Sequence, residues 1–334
     1  MASKATSNIA YPDTSATYWV TPFHLAEGQS LAVEGRFPDA RYASFITYDV
    51  AGDAQSVLTD VDLEPVGGKG NPFATDVAPG GRYASPIEAA GDRSVIYRVY
   101  LGRPDGDPTA GWPSPPWWSA TPTVRPRPWR RAPTRPRARA PGRSSRSTAR
   151  PRTRRRRRPR SSSAAGDGAN LYPNPDNTYV AADPPPRARS GGGGQGTTPT
   201  FPDTGAGQPV AGDHQVRYWS MCTNEYRKPY PVTACVPDQD VALAADGTYT
   251  FVISTLQDRP SNATAAEGVT WLRWGATDVD VLLLLRQMLP AEGFAAAAAN
   301  VAPGGLASTV MGPYAPLGTI CTTAQFEAGD AACG

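Results

Sequence analysis

The sequence SVIYRVYL, at residues 94–101, carries the pattern that decides the fold. Val95, Tyr97 and Val99 recur at every second position, so a β-strand would place all three side chains on one face. Three further segments are rich in Val, Ile, Tyr, Phe and Thr and are bounded by Gly, Pro or Asp: residues 30–37, 42–50 and 248–255. This composition predicts short strands joined by turns.

The overall composition agrees with a β-rich chain, because 36 Pro and 33 Gly among 334 residues favour many turns over long helices. The dipeptide Asp246-Gly247 precedes one predicted strand and indicates a tight turn. Helix is expected only near the end. Residues 291–300 are rich in Ala and predict one short helix, while Thr322 with Gln325 forms a capping-box pattern for a second that ends near Gly329.

Several short strings occur twice in the same order, which indicates an internal repeat. The paired strings are Tyr11-Pro12 and Tyr172-Pro173, Thr17-Tyr18 and Thr178-Tyr179, Phe37-Pro38-Asp39 and Phe201-Pro202-Asp203, Arg41-Tyr42-Ala43-Ser44 and Arg217-Tyr218-Trp219-Ser220, and Arg103-Pro104 and Arg259-Pro260. A period near 160 residues is too long for a solenoid. We predict tandem antiparallel β-sandwich or jelly-roll-like repeats with short C-terminal helices: residues 9–111, a low-complexity tract at 112–165, and residues 166–334.

The tract differs from the rest in composition. Seventeen of the 33 Lys and Arg residues lie within residues 125–160, and no Asp or Glu occurs between Asp107 and Asp167. Without those 17, the chain has 16 basic and 30 acidic residues, a formal net charge of −14 instead of +3. The basic pI therefore comes from the tract alone.

Two hypotheses account for the tract. As a disordered basic arm, it would bind nucleic acid or an anionic membrane surface, with Trp117, Trp118 and Trp129 available for stacking. Alternatively, its few residue types have GC-rich codons and reflect a shifted reading frame in a GC-rich gene. We favour the second hypothesis, under which the basic charge indicates no partner. Residues 184–196 are a smaller anomaly that interrupts an expected strand, and residues 191–194 are expected to be a flexible glycine run.

The four cysteines form two local pairs in the second half: Cys222 with Cys235, and Cys321 with Cys333. This spacing favours two disulfides over four unrelated thiols, and zinc is disfavoured because no C-x-x-C pair occurs. Disulfides imply an oxidising, extracytoplasmic compartment. The start of the chain has no signal-peptide core, and no apolar run is long enough to span a bilayer. We therefore expect the true start to lie upstream.

Several strings resemble a group of uncharacterised, often exported, actinobacterial proteins. They are residues 11–14, 16–19, 37–42, 216–220, 224–226, 258–263 and 268–272. The chain is also distantly similar to bacterial domain-of-unknown-function proteins with jelly-roll-like β domains. The resemblance covers roughly residues 9–111 and 166–334, fails across the tract, and implies a β-rich exported protein with no known activity.

Several common chemistries lack their sequence marks. With only His24 and His214, one chain cannot supply a three-histidine metal site, and no H-E-x-x-H, G-x-S-x-G or P-loop pattern occurs. We predict no metal site and no cofactor. His214, next to Asp213, is expected to be a loop residue.

One polar and aromatic group in the second repeat is a candidate ligand site. Its members are Arg217, Trp219, Glu225, Tyr226, Asp258, Arg259 and Trp271, with Tyr218 and Trp274 nearby in sequence. In a sandwich, such residues line a cleft in which aromatic rings stack on a sugar. The competing interpretation pairs the arginines with acids at sheet ends and buries the rings. Because Arg41 corresponds to Arg217, this structural interpretation is favoured.

No catalytic residue can be assigned from the sequence. We predict a non-catalytic, exported binding or envelope-associated structural protein. The alternatives are an enzyme that acts on a small or carbohydrate-like molecule in the aromatic cleft, and nucleic-acid or anionic-surface binding through the tract. The first would depend on one essential carboxylate and the second on residues 119–160.

Overall fold

The computed structural model describes residues 8–78, 80–102, 160–161, 172–182, 192–330 and 333. The fold is mainly β, as the sequence predicts. Two five-residue α-helices occur in these residues, α1 (Ala307–Met311) and α2 (Thr323–Glu327). The tract hypotheses concern residues that lie almost entirely outside the described part. No helix within the described part is long and apolar enough to cross a membrane.

The first half of the chain forms two packed sheets. Its strands are β1 (Ala16–Leu25), β2 (Leu31–Arg36), β3 (Tyr42–Tyr48), β4 (Ala54–Thr59), β5 (Pro65–Val66), β6 (Arg82–Ile87) and β7 (Gly91–Tyr100). One sheet has the order β1-β7-β3-β4 and the other β2-β6-β5, and all pairings are antiparallel. Phe45 and Tyr97 from one sheet and Tyr83 from the other share a core, which makes this half a sandwich.

The second half contains two larger sheets. Its strands are β8 (Arg160–Ser161), β9 (Asn177–Ala182), β10 (Gly192–Thr197), β11 (Val216–Glu225), β12 (Val232–Pro237), β13 (Thr248–Ser254), β14 (Val269–Arg273), β15 (Val281–Pro290) and β16 (Leu317–Ile320). The orders are β12-β11-β15-β9-β8 and β14-β13-β10-β16. Only the β13–β14 pair, among the strands described, is parallel. Trp219, Phe251 and Leu285 join the two sheets in one core.

The central strands are buried on both faces. All seven residues of β3 are buried, whereas β2 alternates between half-buried and exposed positions. Ala43 and Phe45 of β3 contribute to the core of the first half. The opposite face of β3 carries Tyr42, which packs in a cluster with Tyr218 of the second half. The second half therefore covers the face of this sheet that would otherwise meet water.

The local sequence predictions have mixed outcomes. The four predicted strands coincide with β2, β3, β7 and β13 to within a few residues at each end. Helix α2 begins after Thr322, whose side chain forms the predicted capping box with Gln325. The helix predicted at 291–300 is wrong: turns lead into a single 3-10 turn at Ala298–Asn300. Gln287 accepts a hydrogen bond from the amide of Ala298, which fixes this irregular course.

The prediction of a flexible glycine run at residues 191–194 is also wrong. Residues 192–197 form β10, which pairs antiparallel with β13 on one side and β16 on the other. Gly196 lies opposite Tyr249, and an added Cβ would collide with the phenol of that tyrosine. A glycine is therefore needed at position 196 because the Tyr249 ring occupies the space beside it. Residues 191–196 match the spacing G-x-G-x-x-G, but a dinucleotide loop would precede a helix, whereas residues 192–197 form a strand that is followed by a loop.

Candidate functional site

The predicted site residues lie in three separate places. Arg217 donates through Nη1 to the two carboxylate oxygens of Asp60, at 3.0 and 3.2 Å, and its side chain is only 12% exposed. Trp219 lies within the core, with its ring centroid 5.4 Å from that of Tyr249. Both positions agree with the structural interpretation, in which the arginine forms an ion pair with an acidic residue and the aromatic ring is buried in the core.

Asp258, Arg259 and Trp271 lie together at the edge strand β14. The guanidinium carbon of Arg259 is 4.6 Å from the Trp271 ring centroid, and its Nη2 donates to the carbonyl of Ala263. Asp258 accepts a hydrogen bond from the hydroxyl of Thr255. The arginine therefore already covers one face of the indole ring.

Glu225 and Tyr226 lie at the end of β11, where an exposed aromatic group forms. Tyr226 is 58% exposed, and its ring centroid is 6.1 Å from that of Tyr230. Tyr230 in turn stacks on Tyr11, with centroids 4.8 Å apart and planes inclined by 25°. We call Tyr11, Tyr226 and Tyr230 the tyrosine platform. Tyr11 and Tyr230 were not among the predicted site residues: Tyr11 is far from Tyr226 in the chain, and no local pattern marked Tyr230, although it lies on the same turn as Tyr226.

The backbone holds the platform in place. The N-terminal segment runs beside the β11–β12 turn, with the amides of Ala10 and Tyr11 bonded to the carbonyls of Pro229 and Tyr230. Tyr11 has a φ of 56° and Tyr230 a φ of 62°. The left-handed conformation costs a non-glycine residue about 1–2 kcal/mol, so surrounding contacts must maintain it. Leu101, Tyr172 and Leu289 adopt the same conformation elsewhere, so it is the exposed Tyr226 ring that makes this turn the candidate surface.

Charged and hydroxyl groups surround the platform. Arg227 donates to Glu225 at 3.1 Å and lies 3.7 Å from Asp278. Burial raises the pKa of Tyr11 well above its ordinary value, and the nearby hydroxyls of Tyr230 and Tyr226 raise it further. The Tyr11 phenol therefore remains neutral at physiological pH and is available as a hydrogen-bond donor and acceptor.

A buried polar cluster lies behind the platform. Asp13 accepts hydrogen bonds from the hydroxyls of Tyr218 and Ser220, each at 2.8 Å, and from Arg286. Its carboxylate and the sulfurs of Cys222 and Cys235 lie within 4.8 Å of one another. Both sulfurs are joined in a disulfide, so the donor atoms of this group are engaged in the protein's own bonds. The cluster anchors the segment that carries Tyr11.

Besides Asp13–Arg286, two further buried ion pairs join the halves of the chain. Arg41 pairs with Asp238 at 3.0 Å, and Arg217 pairs with Asp60 at the same distance. Each aspartate also accepts from a backbone amide in its own half, that of Ala43 for Asp60. Burial raises the pKa of Asp60 and of Asp238 to about 6, and the neighbouring arginine opposes that rise in both cases. Both carboxylates are therefore charged at pH 7.

Both predicted disulfides are present. Cys222 and Cys235 are direct cross-strand partners on β11 and β12, and Cys321–Cys333 closes a loop around α2. Two disulfides indicate an extracytoplasmic location, because a reducing cytosol would not maintain them. His214 is a half-buried loop residue, and its pKa is lowered first by burial and then by the charges of Arg41 and Arg217.

Comparison with known proteins gives a fold but no activity. No protein-family model matches the sequence, and no curated protein matches it. A crystal structure of an uncharacterised protein from Burkholderia cenocepacia is similar with a TM-score of 0.53 and 12% identity, over 96% of this chain and 79% of that one. The VPA0106 protein from Vibrio parahaemolyticus is similar with a TM-score of 0.47 and 9% identity, over 93% and 90%. At such low identity, the Burkholderia cenocepacia likeness shows a shared fold alone.

Proposed function

We propose that the chain is a non-catalytic, extracytoplasmic binding protein whose tyrosine platform binds a carbohydrate-like ligand. The observation that carries the proposal is the exposed Tyr226 ring, supported from behind by the Tyr230–Tyr11 stack. Amphipathic rings of this kind bind the apolar face of a sugar while their hydroxyls remain hydrated. The two disulfides support the assignment to an oxidising compartment.

The polar rim of the platform supports a neutral ligand with several hydroxyl groups. Arg227 and Glu225 form an ion pair whose arginine is 56% exposed, so the pair offers both a donor and an acceptor while carrying no net charge. Sugar hydroxyls act as donors and acceptors at once and satisfy both partners. A strongly charged ligand would have to compete with one member of the pair.

Titration calorimetry with maltohexaose, cellohexaose and chitohexaose tests this proposal. We expect at least one oligosaccharide to bind, and Tyr226→Ala to weaken its binding roughly fivefold or more, the worth of a stacked ring. Tyr226→Phe, which keeps the ring, and Leu256→Ala, at a 65% exposed residue, serve as controls and should bind like the parent. The proposal would be contradicted if none of the three oligosaccharides bound to the parent protein, or if Tyr226→Ala bound them as tightly as the parent does.

The enzymatic alternative has one observation in its favour, the raised pKa values of Asp60 and Asp238. Each carboxylate is completely buried and bonded to an arginine, an arrangement that supports structural ion pairs instead. Assays for new reducing ends in the same titrations distinguish the two roles. Binding without release of reducing ends is the expected result.

Nucleic-acid or anionic-surface binding through the tract remains a separate proposal, and almost all of its residues lie outside the described part. It predicts salt-sensitive binding that disappears when residues 119–160 are deleted. Independently of the tract, we also propose that residues 9–111 and 166–334 are tandem copies of one β unit.

A further inference from the structure

Two short segments cross from one half of the chain to the other. We name residues 10–13 the first arm and residues 172–176 the second arm. The first arm precedes β1 of the first half but contacts the second half. Its Asp13 is bonded to Tyr218, and its Tyr11 carbonyl accepts from Nη2 of Arg286 at 3.2 Å.

The second arm makes the converse contacts. It precedes β9 of the second half, yet its Asp176 accepts from the hydroxyl of Tyr42 at 2.5 Å. The carbonyl of Tyr172 accepts from Nη2 of Arg98 at 2.9 Å. The hydroxyl of Tyr48 donates to the carbonyl of Pro173 at 2.8 Å. Each half therefore binds the arm of the other with a tyrosine hydroxyl and an arginine.

The strand registers place these contacts at matching positions. Arg98 lies opposite Ser44 on β3 and opposite Tyr18 on β1. Arg286 likewise lies opposite Ser220 on β11 and opposite Tyr179 on β9. The guanidinium of each arginine also lies over the matching tyrosine ring, at 5.6 Å for Tyr18 and 5.1 Å for Tyr179.

The ion pairs and an apolar centre complete the reciprocal interface. Arg41 of the first half binds Asp238 of the second, while Arg217 of the second binds Asp60 of the first. Between them, the ring of Tyr100 packs edge-on against Tyr42 and Tyr218, with centroids 5.5 and 5.3 Å apart. All of these contacts connect residues outside 103–171.

We propose that the two halves form a self-sufficient, non-covalent pair related by approximate twofold symmetry, which remains assembled when the chain between them is cut. The partner that each half recognises is the other half, through its arm, its buried charge and its tyrosine-lined face. The connecting segment is then needed only to raise the effective concentration of one half near the other. No disulfide can join the halves, because all four cysteines lie in the second.

Limited trypsin digestion of the full chain tests the proposal, since 17 arginines lie between residues 125 and 160. We expect a fragment from each half, separable in a denaturing gel without reductant. At micromolar concentration, the two should elute together in native gel filtration. In urea, the midpoint of unfolding should rise with protein concentration for the cut protein and stay constant for the intact one.

Two matched variants test whether the contacts of the first arm hold the two halves together. Asp13→Asn should raise the dissociation constant of the cut complex roughly tenfold or more, because it leaves Arg286 buried without its counter-charge. Asp92→Asn, which alters the exposed His24–Asp92 pair within the first half, should leave the dissociation constant of the cut complex unchanged. Separate elution of the wild-type fragments, a concentration-independent midpoint, or complete digestion of either half would each overturn the proposal.

Discussion

Arg41 donates through Nη1 to both carboxylate oxygens of Asp238, at 3.0 Å each, although 197 residues separate the two in the chain. Neither side chain has any exposed surface. In a second such pair, the arginine, Arg217, belongs to the second half and the aspartate, Asp60, to the first. A buried charge is costly without its partner, so these pairs specify how the halves meet.

Replacing Arg41 by Met should lower the free energy of unfolding by about 3–5 kcal/mol, because Asp238 would remain buried without a counter-charge. Urea denaturation measures the change. The double variant Arg41→Met with Asp238→Leu should regain much of the loss, since it removes both charges. If the double variant is no more stable than the single one, the cost comes from lost packing instead.

The buried aspartates should make stability depend on pH. Asp60 and Asp238 have ordinary pKa values of 3.8 and folded-state values of about 6, so the folded protein binds their protons more tightly. Their contribution to stability is therefore fully present below pH 3.8 and is lost as the pH rises through about 6.

The difference in unfolding free energy between the parent and Asp60→Asn, followed from pH 3.8 to 6, isolates one of these groups. We expect the parent to lose on the order of 2 kcal/mol more than the variant over this range. Subtraction also removes the opposing contribution of His214, whose pKa is lowered. A difference that stays constant with pH would show that Asp60 has an ordinary pKa.

The Cys222–Cys235 disulfide occupies a position where the first half has an apolar pair. Cys222 lies opposite Cys235, and Ile46 lies opposite Val57 in the strands that correspond under the proposed twofold relationship. Replacing both cysteines by Ser should cost about 3 kcal/mol or more, the worth of a disulfide that closes a short loop. Cys222→Ile with Cys235→Val should cost less, because Cys222 is 1% exposed and an apolar side chain suits the site. Thermal unfolding ranks the two; equal losses would show that packing at this site is unimportant.

Gly196→Ala should destabilise the protein by roughly 1–3 kcal/mol, because the new methyl group would collide with the Tyr249 ring. Gly194 on the same strand is the matched control, since no atom lies within 4 Å of an added Cβ there. Gly194→Ala should therefore leave stability unchanged or raise it slightly. Urea unfolding measures both changes. If Gly196→Ala and Gly194→Ala had the same effect on stability, the Tyr249 ring would not lie against Gly196.

The parts of the fold that local chemistry determines were predictable. Alternating β-branched and aromatic residues located β7 and β13, and the spacing of Cys321 and Cys333 indicated their pairing. The Ala-rich segment at 291–300 was predicted as helix because Ala has high helix propensity, but contacts with β15 override that preference. The strand β10 could not be foreseen, because a glycine run has low strand propensity and the contact of Gly196 with Tyr249 is visible only in the folded ladder.

The candidate site was less predictable than the fold. Glu225 and Tyr226 were identified from composition, but Tyr11 and Tyr230 join them through contacts that no local pattern encodes. Residues chosen for their proximity in sequence, such as Arg217 and Tyr226, point to different parts of the molecule. The correspondence of Arg41 with Arg217 indicated a structural role for both arginines, but not that their ion pairs connect the two halves.

The crossed arms have a consequence for synthesis of the protein. Tyr42 lies on the face of β3 that awaits Asp176, a residue made 134 positions later. The first sandwich therefore emerges from the ribosome with an uncovered aromatic surface and with Asp60 still lacking its partner, Arg217. Exposed surfaces of this kind promote aggregation of nascent chains. Chaperone demand during translation should be highest in the interval before β9 and β11 emerge.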